Sequence, residues 1–206
     1  MAGMHLPEEG GSGWNVEHVK QSLPGQPVVL IEWAHRQQGL IVAPGNPRGI
    51  RTVADLGRPG LRFVARQPGS GTRLLTDALL ESAGLEHARI VGSEHCEDSH
   101  LAVAASVACA VADAGLGIEA AARSFGLDFV PLVEERYCFV CLKPALEHPA
   151  VQALKRVLAS EAWGRELAVL TGYRVDGGGQ VLRLTEALPW WNELVATPRP
   201  RAVRSG

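Results

Sequence analysis

The amino-acid sequence predicts an α/β protein. Between residues 27 and about 170, short apolar stretches rich in β-branched residues alternate with stretches whose apolar residues recur at helical spacing, which is typical of an α/β fold with a mainly parallel sheet. The 206 residues are enough for one domain or two small lobes with a buried core. Hydrophobic residues make up 46% and charged residues 20%, so the composition is that of an ordinary globular protein.

Strands are predicted first in the N-terminal third of the chain. Residues 27–33 and 39–43 are short apolar runs, and the second is closed by the turn sequence Pro-Gly-Asn-Pro at 44–47. His35 and Arg36, between these two runs, are interpreted as a surface loop. Later strands are predicted at 61–65, 113–117, 128–132 and 136–142.

Helices are predicted where apolar residues share one face and where capping residues stand at the ends. A glycine-rich loop at 67–72 leads into a helix that ends at Gly84, and Ser99 caps the next one. Pro149 opens a third helix, because proline is well tolerated in a first helical turn. A further helix is predicted from about residue 160 to 170.

The four cysteines do not predict a metal site or a disulfide framework. Cys138 and Cys141 form a lone C-x-x-C in a predicted strand, where residues three apart point to opposite faces. We therefore expect free thiols and no bound metal. No apolar run reaches the roughly 18 residues of a membrane-spanning helix, and no signal peptide is recognisable. These features together predict a cytoplasmic protein without a membrane or nucleic-acid partner.

The strongest local signal is the loop that begins at Arg66 and ends at Arg73. Its glycines allow close approach of a ligand to the backbone, the first helical N–H groups have no internal partner, and Ser70 and Thr72 add hydroxyl groups, so the loop suits an anion. It matches neither a nucleotide P-loop nor Gly-x-Gly-x-x-Gly. The alternative is a capped tight turn without a ligand.

Other clusters of polar residues give weaker signals. Residues 94–100 contain several side chains that could bind a metal, but no second cluster in the sequence completes a metal site. His100 is interpreted either as a donor to a bound ligand or as a helix-cap residue. A nucleophilic Ser70 would need His100 and an acid such as Asp113, and the Gly-x-Ser-x-Gly spacing is missing, so no catalytic residues are predicted. The charged run 134–137 is interpreted as a solvated turn.

Several motifs together resemble one family. They are GLIVAPGNPRGI at 39–50, DL at 55–56, FVARQPGSGTR at 63–73, HLAVAA at 100–105, ADAGLG at 112–117, LDFVPLVEERY at 127–137, GY at 172–173 and LPWW at 188–191. The chain, from residue 2 to about 191, resembles the periplasmic-binding-protein-like (type 2) substrate-binding domains. These are found fused to helix-turn-helix or molybdopterin biosynthesis modules, and are more distantly similar to molybdate- and tungstate-binding proteins.

The resemblance implies a two-lobed fold that binds its ligand in a cleft. Lobe 1 would comprise 1–62 and 142–206, lobe 2 would comprise 63–141, and the chain would cross between them near 61–66 and 137–142. The implied ligand-binding residues are Ser70, Gly71, Thr72, Arg73, Gly117, Ile118, His5, His100 and His35.

The implied function is non-enzymatic binding of a small anion, with molybdate or tungstate as the first expectation and no cofactor. The domain would act as a sensor, effector or solute-binding module. The alternatives are a larger anionic ligand, such as a pterin or an aromatic acid, and an enzyme that uses Ser70 on a phosphorylated or acyl substrate. Family members usually carry one more strand-helix unit before Ala2. The resemblance therefore implies either that the chain is a fragment of a larger protein or that a second copy completes lobe 1, and it predicts a homodimer or an incomplete site.

Overall fold

The computed structural model describes residues 1–7 and 26–187. The strands and helices are β1 (Ala2–Pro7), β2 (Val28–Val42), β3 (Phe63–Arg66), α1 (Gly71–Ser82), β4 (Cys96–Glu97), α2 (His100–Ala108), β5 (Ala114–Ile118), α3 (Glu119–Ser124), β6 (Asp128–Leu142), α4 (Pro149–Leu158), α5 (Glu161–Ala168), β7 (Tyr173–Arg174), β8 (Val181–Arg183) and α6 (Leu184–Ala187). Short 3-10 helices lie at Val53–Gly57, His87–Arg89 and Lys143–Glu147. The LPWW motif at 188–191 lies outside the described residues.

The strands form one mixed sheet, which confirms the α/β class. Its order is β1-β6-β2-β5-β3-β4, and β7 and β8 also pair with β2. Strand β3 runs parallel to β4 and β5, whereas the pairs β1–β6, β2–β6, β2–β5, β2–β7 and β2–β8 are antiparallel. The expectation of a mainly parallel sheet is therefore wrong. The alternation of strands and helices predicted parallel crossovers, but the two longest strands run in opposite directions.

Two long strands replace four predicted short ones. β2 and β6 have 15 residues each and pair along almost their whole length. The polar residues in their middle do not form loops, because their backbone groups pair across the sheet: Arg36 lies opposite Glu135, and Gln37 opposite Glu134. Irregularity is confined to register shifts between Glu32 and Ala34 and between Gln38 and Gly39.

The buried apolar side chains fall into two groups along these long strands. Two clusters, one around Phe63 and one around Val103, are formed by the end of β2 from Leu40, the elements between β2 and β6, and the first part of β6. Two others combine β1, the first part of β2, the end of β6 and the C-terminal helices. β2 and β6 thus connect the two groups. The lobe boundary at 62/63 stays a prediction; Leu56 and Phe63, on either side of it, lie in the same cluster.

The two cysteines of the C-x-x-C motif lie in different clusters, as the strand periodicity predicts. Cys138 packs with Met4 and Leu30, whereas Cys141 packs with Val29 and faces the other side of the sheet. All four cysteines are free thiols, and burial raises the pKa of Cys138 to about 12. In the described part of the chain, no helix is both long and apolar enough to cross a membrane.

Candidate ligand-binding site

A cavity of about 290 Å³ opens where the two core groups meet. β1, the middle of β2 and β6, the end of β3 and the first residues of α1 and α2 all reach it. Its lining residues are His5, Arg36, Arg66, Ser70, Gly71, Thr72, Asp98, Ser99, His100 and Tyr137. We call this cavity the polar pocket.

The N-terminus of α1 forms one wall of the polar pocket. Ser70 caps the helix: its Oγ accepts the N–H of Arg73 at 3.1 Å and donates to the carbonyl oxygen of Gln67 at 3.0 Å. The N–H groups of Gly71 and Thr72 donate to no other residue in the part of the chain that the structure describes. A Cβ at Gly71 would lie 2.5 Å from Nε2 of His5, so a larger residue here would displace the His5 ring. Unpaired N–H groups at a helix start are anion donors.

The N-terminus of α2 reaches the same pocket. Ser99 caps this helix by accepting the N–H of Ala102 at 3.1 Å, and His100 is its first residue. Each helix start carries about half a positive charge. Two of them at one cavity make it attractive for an anion.

Arg66 is a buried cation whose side-chain hydrogen bonds, within the described residues, go to neutral oxygens. Its side chain donates to the side-chain oxygen of Gln67 at 3.0 Å and to the carbonyl oxygen of Asp98 at 3.0 Å, which are neutral acceptors. Arg66 is 9% exposed, and within residues 1–7 and 26–187 no carboxylate forms an ion pair with it. Burial and the charge of Arg36 lower the pKa of Arg66, and the negative charge of Asp98 opposes them in part. The pocket therefore has a desolvated positive charge at its wall.

Glu135 joins the strands behind the pocket. This fully buried carboxylate accepts hydrogen bonds from Nε of Arg36 at 2.5 Å, from Nε2 of Gln38 at 2.7 Å and from Nδ1 of His5 at 3.1 Å. Burial alone would raise the pKa of Glu135, but the hydrogen bond from His5 and the charge of Arg36 outweigh it and lower the pKa to about 2. Gln38 also accepts the hydroxyl of Thr72 at 2.9 Å. Arg36 thus forms an ion pair with a buried carboxylate, whereas Arg66 forms no ion pair within the described residues.

His100 is held in its neutral form. Burial lowers its pKa to about 3, and the charges of Arg36 and Arg66 act in the same direction. Its Nδ1 is buried and makes no hydrogen bond to the described residues. Protonation would leave a buried N–H there without an acceptor. At neutral pH, His100 therefore contributes an uncharged imidazole to the pocket.

Acidification is expected to destabilise the fold through His100. An unfolded chain protonates this histidine below about pH 6.5, whereas the folded chain does so only near pH 3, so stability falls as pH is lowered between these values. The slope is at most about 1.4 kcal/mol per pH unit for one histidine. His87, whose pKa burial also lowers, adds to it. Urea unfolding from pH 7 to 4.5 should show a smaller slope in His100→Gln and an unchanged slope in the exposed-site variant His95→Gln.

The structure brings together five of the predicted binding residues and separates four. His5, Ser70, Gly71, Thr72 and His100 line the pocket. The four that do not line it are Arg73, Gly117, Ile118 and His35.

Arg73 and His35 point away from the polar pocket because of their positions on the turn of α1 and on the face of β2. Arg73, on the first turn of α1, pairs with Asp77 one turn later at 3.0 Å. His35 is adjacent to Arg36 in β2 and so faces the other side of the sheet, where it contacts Glu32 at 3.1 Å. Gly117 lies behind the wall: a Cβ there would be 2.7 Å from Ile41 and 3.5 Å from Nδ1 of His100. Ile118 packs beside the cluster around Val103.

The hydroxyl groups of Ser70 and Thr72 differ from expectation. Both direct their hydrogens into the protein, toward the oxygens of Gln67 and Gln38, and not toward the pocket. Asp113, the acid that a nucleophilic Ser70 would have needed, pairs with Arg62 at 3.1 Å and does not line this pocket. In the described ranges, no group of three potential metal ligands is found.

The sequence reasoning missed the residues contributed by β2 and β6. Arg36 was interpreted as part of a surface loop, and Glu135 and Tyr137 as part of a solvated turn. Their spacing contained the signal: Arg36 and Gln38 alternate on one face of β2, and Glu135 and Tyr137 on one face of β6. Tyr137 packs against His5, with ring centroids 4.6 Å apart.

The sheet is mixed, its two core groups meet at a polar pocket, and two helix N-termini reach that pocket. This architecture is suited to holding a small ligand. The comparison with known families agrees: the model of the PBP superfamily domain matches residues 1–159. The chain belongs to this superfamily, as the sequence motifs predicted.

Three known proteins are similar to the chain. The uncharacterized protein YvgK of Bacillus subtilis is 36% identical over 179 residues, which cover 87% of this chain and 58% of YvgK, so the chain spans less than two thirds of that relative. The molybdate-binding protein ModA of Mycobacterium bovis is 51% identical over 43 residues, 19% of this chain and 16% of ModA. A third similar protein, from Clostridium perfringens, is assigned as a phosphate ABC transporter substrate-binding protein, and its crystal structure contains bound phosphate. The two structures match with a TM-score of 0.55 and 16% sequence identity, over 84% of this chain and 79% of the other. At this identity the match shows a shared fold alone.

Proposed function

We propose that the chain is a non-enzymatic binding domain for a small oxyanion, which it holds in the polar pocket. The observation that carries the proposal is Arg66, a buried guanidinium that faces the pocket without a carboxylate partner in the described residues. A buried charge is costly unless it is paired. A bound anion would provide the missing partner.

The remaining donors suit the same ligand. The N–H groups of Gly71 and Thr72 and the positive ends of α1 and α2 are directed to one cavity, and hydrogen bonds to an ionised oxygen are about twice as strong as those between neutral groups. The neutral imidazole of His100 adds a polar group without adding charge.

Molybdate or tungstate is the first ligand to test. Both are fully deprotonated tetrahedral dianions that only accept hydrogen bonds, and the likeness to ModA supports them. Phosphate is the second candidate, because Asp98 places a carboxylate at the pocket that could accept the proton of a hydrogen phosphate. The phosphate bound in the structurally similar Clostridium perfringens protein supports this choice.

The contacts of Tyr137 argue against a pterin or an aromatic acid as the ligand, and those of Ser70 argue against an enzyme that uses this serine. The ring of Tyr137 is already contacted by His5 at 4.6 Å, Trp33 at 4.6 Å and Arg36 at 4.8 Å, so it offers little surface for stacking a pterin or an aromatic acid. The hydroxyl of Ser70 is engaged in capping α1 and has no hydrogen-bonded base, so it is not prepared for nucleophilic attack.

The cellular role is part of the proposal. Four free cysteines support a reducing, cytoplasmic environment, in which the domain would act as a sensor or effector of its anion. The homodimer that would complete lobe 1 stays a prediction. His5 reaches the pocket from the β1 strand of the same chain.

A thermal-shift screen tests the proposed function. Molybdate, tungstate, phosphate and sulfate are compared with chloride at equal ionic strength. A ligand present at 100 times its Kd stabilises the fold by about 2.7 kcal/mol, which for a domain of this size raises Tm by roughly 5–10 °C. Asp98→Asn should weaken phosphate binding relative to molybdate binding, because it removes the acceptor for the proton of hydrogen phosphate and also removes a negative charge that repels molybdate. If none of the four oxyanions raises Tm above the chloride control, the proposal is wrong.

A further inference from the structure

We propose that Gln67 is the positioning residue of the anion site: its neutral side chain orients the guanidinium of Arg66 and leaves the charge of that guanidinium available to the ligand. This role of Gln67 rests on the proposed function and adds to it a residue that does not line the polar pocket. It follows from the hydrogen bonds that Gln67 makes at the loop before α1.

The side chain of Gln67 holds two groups at once. Its Oε1 accepts the Nε–H of Arg66 at 3.0 Å, and its Nε2 donates to the carbonyl oxygen of Asp98 at 3.2 Å. The orientation of the amide follows from these partners, because a guanidinium only donates and a carbonyl oxygen only accepts. The Asp98 carbonyl oxygen also accepts Nη2 of Arg66 at 3.0 Å. The three residues therefore form a closed ring of hydrogen bonds that fixes the guanidinium.

The backbone of Gln67 connects this ring to both helix starts at the pocket. Its N–H donates at 3.0 Å to the carbonyl oxygen of Glu97, in the strand β4 that leads to α2. Its carbonyl oxygen accepts the hydroxyl of Ser70, which caps α1. A substitution of the side chain leaves these backbone bonds in place. It can therefore test the orientation of Arg66 without removing the loop.

The hydrogen bonds of Arg66 leave one nitrogen for a ligand. Nε and Nη2 donate to Gln67 and to the carbonyl oxygens of residues 97 and 98, whereas Nη1 donates to no residue in the part of the chain described by the structure. Arg66 lines the polar pocket. An anion in the pocket would therefore meet Nη1, and holding the other two nitrogens prepares it for that contact.

The neutrality of Gln67 matters as much as its geometry. A carboxylate in place of its amide would form an ion pair with the buried guanidinium of Arg66, as Glu135 does with Arg36. The carboxylate of Asp98 is exposed and makes no ion pair with Arg66 among residues 1–7 and 26–187. The two arginines of the pocket thus differ in their acceptors. Arg36 has a buried carboxylate, and Arg66 has an amide and backbone carbonyls that leave its charge for the ligand.

Two substitutions of Gln67 test both parts of the proposal by titration calorimetry with molybdate and phosphate. Gln67→Met keeps the length of the side chain and removes its hydrogen bonds, so Arg66 stays charged but loses its orientation. We expect about 2- to 12-fold weaker binding, which corresponds to ordering one more side chain when the anion binds. Gln67→Glu keeps the shape and supplies a carboxylate, so we expect binding to weaken by about 10- to 150-fold, as for loss of a charged donor.

The stability of the ligand-free protein separates positioning from a merely structural role. Gln67→Glu pairs the buried charge of Arg66, so its Tm without oxyanion should exceed that of Gln67→Met. The two variants should therefore rank in opposite orders for stability and for affinity. A residue that only packs the loop would give the same order for both.

Gln152→Glu is the matched control for the added charge. Gln152 lies on α4 outside the polar pocket, and its Nε2 also donates to a backbone carbonyl oxygen, that of Leu146 at 2.6 Å. The substitution changes the net charge by the same amount and removes the same kind of hydrogen bond. Its affinity for both anions should equal that of the wild type.

A spectroscopic measurement replaces Gln67→Glu if that variant does not fold. In ¹⁵N spectra of the ligand-free wild type, the Nε–H of Arg66 should exchange slowly with solvent, because Gln67 accepts it. In Gln67→Met the Nε–H keeps only the longer contact to the carbonyl oxygen of Glu97, at 3.3 Å, and should exchange faster.

The outcomes separate this inference from the proposed function. Equal affinity of the wild type and Gln67→Glu, the same order of the two variants in stability and affinity, or equal exchange of the Arg66 Nε–H in the wild type and Gln67→Met would overturn the positioning role while oxyanion binding stands. Absence of binding of molybdate, tungstate, phosphate and sulfate to the wild type would overturn the proposed function itself.

Discussion

Arg66→Met is expected to weaken oxyanion binding by about 10- to 150-fold. The guanidinium is buried beside the pocket without a carboxylate partner in the described residues, so its contacts to an anion would be charge-assisted and poorly screened. A hydrogen bond to a charged group contributes about 1.5–3 kcal/mol, and each 1.4 kcal/mol changes Kd tenfold. Methionine keeps much of the apolar stem and removes the charge. Titration calorimetry with the ligand found by thermal shift measures the change.

Arg89→Met is the matched control for this substitution. Arg89 is also an arginine, but its side chain is 78% exposed, pairs with Glu86 and lies outside the pocket. It should bind the ligand as the wild type does. Arg66→Lys keeps the charge but loses the planar fork, so its affinity should fall between those of the wild type and Arg66→Met. Equal affinity of Arg66→Met and wild type would show that the anion is held elsewhere.

The helix starts at the pocket could be predicted from the sequence because they depend on neighbouring residues. Ser70 and Ser99 each stand just before an apolar helical pattern, and both cap their helices by accepting an N–H three residues later. The same local chemistry leaves the N–H groups of Gly71 and Thr72 without an acceptor among the described residues. The loop from Arg66 to Arg73 can therefore be recognised as a candidate anion site from its own residues.

The partners of that loop could not be predicted in the same way because they come from distant parts of the chain. Glu135 contacts Arg36 across 99 residues and His5 across 130 residues. In the sequence, Glu134, Glu135 and Arg136 form a charged run, which usually lies in solvent. Only the register of β6 between β1 and β2 shows that the middle member is buried. Resemblance to a family supplied His5 as a candidate, but not its carboxylate.

Strand direction is a further property that local patterns do not contain. An apolar run such as 39–43 has the same composition whether its neighbour runs parallel or antiparallel. Reading β2 as one strand would have required treating Glu32, His35 and Arg36 as buried. Their burial becomes favourable only because ion pairs form across the sheet, as between Glu32 and Arg136 at 3.2 Å.

Glu135→Ala is expected to lower the free energy of unfolding by about 3–5 kcal/mol. The substitution removes a fully buried carboxylate and leaves Arg36, which is 8% exposed, as an unpaired charge, together with the donors of Gln38 and His5. Removing one partner of a buried ion pair costs about this much, because the other charge stays desolvated. Urea unfolding at pH 7, monitored by far-UV circular dichroism, measures the difference.

Glu134→Ala is the control that separates burial from charge. This substitution removes a side chain of the same type from the preceding residue. Glu134 faces the other side of β6 and pairs with the partly exposed Arg174 at 2.6 Å. An exposed ion pair contributes at most about 1 kcal/mol.

Lowering the pH should destabilise the protein in the same direction as Glu135→Ala. The pKa of Glu135 is about 2 in the folded state, so the stabilisation that its charge provides is present above about pH 4.5 and is lost as pH falls toward 2. If Glu134→Ala and Glu135→Ala destabilise the protein equally, the buried network does not hold β1, β2 and α1 together.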